Sequence, residues 1–115
     1  MNTKAIAQRL NKSVEVLSVS FEQFSLKVTS FGFCSIDQDG WMEFLVELTS
    51  LQGSELVEDV CVKVNLYDTE NTILYSKDIT IEAENFSGYD TIHFFLEEDR
   101  LAFDTARTRH YATRA

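Results

Sequence analysis

Few side chains in this sequence could carry chemistry. Cys34 and Cys61 are the only thiols and His93 and His110 the only imidazoles in 115 residues. Their spacing gives no zinc signature, since ligand pairs normally recur two to four residues apart. Neither cysteine has a histidine beside it, which leaves a Cys/His nucleophile pair neither supported nor refuted by the sequence. Carboxylates come closest to a site. Asp37, Asp39 and Gly40 look like the start of a calcium loop, because closely spaced acids supply hard oxygen ligands. The pattern then fails: Trp41 follows, and the twelfth position, which should be acidic, is Leu48. A fold could still gather Asp37 and Asp39 with a distant acid such as Asp90. Glu97-Glu98-Asp99 reads as a solvated strand terminus rather than an acid–base pair. There is no phosphate-binding glycine loop, no nucleophile elbow and no dinucleotide unit. With four glycines in the chain, such motifs have little room.

The elements that would position these residues are strands. Val60 to Asp68 alternates Val, Val, Val, Leu with Cys, Lys, Asn, Tyr, the period of two expected of a strand with one buried face. On that parity Cys61 points outward beside Lys63, which argues against a disulfide through the core, and both cysteines read as free thiols. Asp39-Gly40 marks a hairpin turn, followed by a strand from Trp41 to Thr49 with Met42, Phe44, Val46 and Leu48 on one face. Further strands are expected at Val14–Phe21 (with a phase slip at Leu17), Phe24–Thr29, Phe31–Ile36, Thr72–Ile81, Asp90–Leu96 and about Thr105–Ala112. His93 falls on the outer parity of its strand, and Arg107, Arg109 and Tyr111 share a face of the last. Proline is absent, so edge strands must be guarded by charge, with Lys27, Lys77 and the glutamates as candidates. Seven or eight strands at this spacing predict an all-β, immunoglobulin-like antiparallel β-sandwich.

Length fits one domain. Residues 1–12 are expected to be loosely ordered or briefly helical, and residues 13–115 to form the sandwich. Hydrophobic residues make up 44% of the chain, enough for one core. The net charge is −9, but the first twenty residues carry +2 and the last eleven +3, which leaves −14 on residues 21–104. Such a body repels phosphate backbones, so nucleic acid is not the expected partner. No stretch approaches the roughly 18 apolar residues of a membrane helix, and membrane insertion is not expected. Met1 to Lys12 lacks the apolar core of a secretory signal. The chain therefore reads as cytoplasmic, although a secreted domain whose signal has been removed would read the same.

Leu66-Tyr67-Asp68, the strand before it, the polar turn after it, Ile73-Leu74-Tyr75 and a later Phe-rich strand resemble the FxLYD family of bacterial immunoglobulin-like domains. The likeness covers about Met42 to Ala112 and departs at the first motif position, where Val64 replaces Phe. It implies a sandwich and a binding or accessory role, with no catalytic residues. The tyrosine ring is expected to pack at the end of the core with its hydroxyl on turn backbone, and Asp68 to accept turn amides. Apolar side chains on faces that should be wet, Trp41, Leu45, Tyr67 and Phe95, suggest an interaction patch. The expected function is a non-catalytic protein-interaction or self-associating module without a cofactor. The alternative is a sandwich binding calcium or a small ligand through loop carboxylates such as Asp37 and Asp39.

Overall fold

The alternating segment around Val60 becomes β4 (Val60–Tyr67), a central strand hydrogen-bonded on both sides. The computed structural model describes residues 2–53 and 55–115, without the side chains of Cys34 and Ser35. β4 pairs antiparallel with β5 (Ile73–Ile81) and with β7 (Arg107–Arg114), so that Val62 lies between Ile79 and Ala112. A short β1 (Val14–Val16) completes this sheet in the order β1-β7-β4-β5. The second sheet, in the order β2-β3-β6, holds β2 (Leu26–Ile36), β3 (Met42–Ser50) and β6 (Tyr89–Leu96). The inner rows of the two sheets form the core, including Phe44, Val46, Leu48, Val60, Val62, Val64, Leu66, Phe94 and Leu96. The all-β sandwich expected from the alternation is the fold.

Three details differ from the expected strands. β1 pairs parallel with β7, Val14 opposite Thr108, so the sandwich is not wholly antiparallel. The phase slip at Leu17 is a change of element rather than a bulge, because Ser18–Glu22 forms a short helix, α2. Its Phe21 is buried while Val19 is 77% exposed, whereas a strand running on from Val14 would put both on one face. The two strands expected between Phe24 and Ile36 are one, β2, with irregularities between Val28 and Ser30 and between Phe33 and Ser35.

Residues 3–12 form α1 (Thr3–Lys12), capped by Asn2, whose Oδ1 accepts the Ala5 amide at 3.1 Å. Leu10 is fully buried in the core. Arg9 donates to the carbonyls of Thr105 (2.8 Å) and Ala102 (3.3 Å). Asn11 Oδ1 accepts the Phe33 amide of β2 at 2.9 Å, which occupies a backbone group on the open edge of that strand. At the other end of the same sheet Lys77 Nζ donates to the Phe95 carbonyl of β6 at 2.8 Å. Both contacts guard edges that would otherwise template strand pairing.

The β2–β3 turn is locked to the last helix, α3 (Leu101–Asp104). Gly40 has φ 89°, a region open to glycine. Arg100 N donates to the Asp39 carbonyl at 2.6 Å, and Ala102 N to the Gly40 carbonyl at 2.9 Å.

Candidate functional site

The outer face of the β2-β3-β6 sheet collects most of the residues singled out by the sequence. β3 turns Met42, Phe44, Val46 and Leu48 inward, so Glu43, Leu45 and Glu47 point away from the core. β6 turns Ile92, Phe94 and Leu96 inward, so Tyr89, Thr91, His93 and Phe95 stand on the same outer face. The register sets Glu43 opposite Phe95, Leu45 opposite His93 and Glu47 opposite Thr91. Trp41 lies just before β3 and is 37% exposed; Phe95 is 47% exposed. Three contacts hold this end of the face together. Trp41 Nε1 donates to Asp99 Oδ1 at 2.8 Å, His93 Nε2 meets Glu43 Oε1 at 2.5 Å, and the His93 and Phe95 rings lie 4.6 Å apart.

Tyr67 does not join them. It belongs to the other sheet, is 7% exposed, and is roofed by Arg107 at 4.0 Å and Arg109 at 5.5 Å from its ring centre. Both arginines also contact Glu15 Oε2, at 3.5 and 3.2 Å. Cation–π stacking thus buries an aromatic ring that parity places on the wet side. Its hydroxyl accepts from Asn65 Nδ2 at 3.3 Å rather than bonding turn backbone. Asp68 does accept turn amides, from Glu70 at 2.8 Å and Thr72 at 2.9 Å.

The carboxylates of the would-be calcium loop serve the turn. Asp37 Oδ1 accepts the amides of Asp39 (2.9 Å) and Trp41 (3.0 Å), as an Asx turn does. Asp90 pairs with Leu48 at the opposite end of the sheet, remote from Met42 and the turn. Among the described residues no group of three or more His, Cys, Asp or Glu is placed to hold a metal ion.

Cys61 is free and, although on the outer parity, buried. Burial and then the charge of Asp78 push its thiol pKa up, which keeps it in the unreactive protonated form. The Cys34 side chain lies outside the described atoms. His110 turns inward from β7 and is 1% exposed. Its ring stands edge-on to Phe31 (4.8 Å) and Phe44 (5.3 Å), and Thr108 Oγ1 lies 3.3 Å from its Nε2. Sequence gave no more than its alternation with Arg109 and Tyr111 to find it.

No helix among the described residues is long and apolar enough to cross a membrane. No protein-family model matches the sequence, and no curated protein does. Among solved structures the chain is similar to Campylobacter jejuni cj0090, at 19% identity and TM-score 0.49, over 90% of this chain and 98% of that one. It is also similar to a DUF1425 family member from Shewanella sp. pv-4, at 9% identity and TM-score 0.50, over 78% of each chain. At 9% identity the likeness to the Shewanella structure shows a shared fold and nothing about activity.

Proposed function

We propose that this domain is a non-catalytic interaction module that docks a protein partner on the outer face of the three-stranded sheet, around Trp41, Leu45 and Phe95. The observation that carries the reading is the joint exposure of Trp41 and Phe95 at one end of that face, on strands held rigid by a buried inner row. Aromatic anchors on a stiff scaffold lose little side-chain freedom on binding and dominate interface energetics. The resemblance of Leu66-Tyr67-Asp68 to FxLYD domains points the same way, toward an accessory role.

The test is a Trp41→Ser, Phe95→Ser double variant, which changes only exposed side chains and should fold as the wild type does. Sedimentation over a range of concentrations, together with capture from the native source, should reveal a complex that the wild type forms and the variant loses. A monomer at every concentration, with identical captured proteins for both chains, would sink the reading.

A further inference from the structure

Toward the other end of this face, where Glu47 stands opposite Thr91, lies a carboxylate without an ion pair among the described residues. Glu47 Oε1 accepts from Thr29 Oγ1 at 2.8 Å, and Oε2 from the Tyr89 hydroxyl at 3.4 Å. Those hydroxyls are themselves steadied, Thr29 Oγ1 by Thr49 Oγ1 at 3.3 Å and Tyr89 by Thr91 Oγ1 at 2.9 Å. A few acids have an arginine beside them: Glu15 has Arg107 and Arg109, Glu58 has Arg114, and Asp104 has Arg100. Glu47 forms no ion pair among the described residues, even with Lys27 across the sheet opposite Thr49.

Glu47 forms one wall of a 260 Å³ hollow whose other sides include Phe31, Gly32, Leu45, Ser30 and Thr91. The hollow is open because of Gly32. A Cβ there would meet no atom within 4 Å, so any larger residue would project into empty space on the outer face. The space therefore has an apolar floor at Leu45 and an anchored negative charge on its rim.

We propose that this hollow receives a basic side chain, Arg or Lys, from the protein partner. The inference rests on the docking reading above and adds the partner's chemistry. The aliphatic stem lies over Gly32 and Leu45, as long cationic side chains do on apolar surface. The charged head meets Glu47, completing a carboxylate so far served by hydroxyls alone. Charge complementarity selects this occupant: residues 21–104 carry −14, so an acidic group would be repelled and a neutral one would leave Glu47 without a counter-charge.

The test uses the purified protein and N-acetyl-arginine amide or N-acetyl-lysine amide as probes, followed by NMR shifts of the Gly32, Leu45 and Thr91 amides. N-acetyl-citrulline amide, which keeps the shape of arginine without its charge, is the control. Saturable shifts are expected with both cations and at least about fivefold weaker binding of citrulline. Glu47→Gln should weaken cation binding by a similar factor. Gly32→Val fills the hollow with a residue suited to a strand, and should abolish the shifts with the melting temperature unchanged. Citrulline binding as tightly as arginine, no saturable shift, or Gly32→Val binding like the wild type would each overturn the proposal. Loss of the hollow alone leaves the docking surface around Trp41 and Phe95 standing, and the double variant reports on that surface separately.

Discussion

His110 occupies a position where a charge has no compensation. It faces inward among Phe31 and Phe44, its Nδ1 has no hydrogen-bond partner among the described residues, and burial lowers its pKa from 6.5 to about 4. The direction of the pH effect follows. Above pH 6.5 the ring is neutral in the folded and unfolded chains alike, and stability is unaffected by it. As pH falls below 6.5 the unfolded chain takes up a proton that the folded chain refuses, and stability declines until about pH 4, where both are charged. Between pH 7 and 5 this linkage removes about 2 kcal/mol. Urea unfolding at those two pH values should show that loss in the wild type. His110→Leu should show a loss smaller by about the same amount, because the buried ring is gone. An unchanged pH dependence in the variant would mean that the ring is protonated in the folded state.

At the scale of elements, the turn from β2 to β3 shows how a local signal was read correctly and its long-range role was not. Asp39-Gly40 announces a turn. Nothing in the sequence announces that Gly40 touches α3, sixty residues on. A Cβ at Gly40 would lie 2.7 Å from Arg100 Cα, and the backbone there has φ 89°. Both faults act on one residue, so Gly40→Ala should cost about 2 kcal/mol or more, measured as a fall in the urea midpoint. Full wild-type stability would show that α3 yields freely. Where alternation was clean, as in β3, β4 and β6, strand and buried face were both legible, because a period of two records one wet and one dry side. α2 was missed because Ser18–Glu22 is a single turn, too short for a helical period to emerge. The patch was legible in part. Trp41 and Phe95 share a face, whereas Tyr67 has the same outward parity on the other sheet, and stacked arginines that no spacing rule reveals. The Gly32 hollow was hidden for a related reason. It needs the register of β2 against β3, which two irregularities displace from a simple count.

The molecule as a whole depends on contacts between its two ends. β1 joins β7 in parallel, Arg9 bonds carbonyls near residue 102, and Glu15 meets Arg107 and Arg109. The basic residues at both ends of an otherwise acidic chain thus act within the fold, Arg9 on backbone and Arg107 and Arg109 on Tyr67. α1 contributes Leu10 to the core and Asn11 to the edge of β2. Replacing a buried leucine by alanine costs about 2–5 kcal/mol. Deleting residues 1–12 removes that side chain, the Arg9 bonds and the edge cover together. The shortened chain should therefore lose at least about as much stability as Leu10→Ala. It should also associate as concentration rises, since the Phe33 amide becomes free to accept a strand from another copy. Asn11→Ala separates the two effects: it leaves Leu10 in place, should cost about 1 kcal/mol, and should retain part of the association. Thermal melting with light scattering reads both quantities. A shortened chain that melts at the wild-type temperature and stays monomeric would show that the helix rests on the sandwich without supporting it, and that β2 protects its own edge.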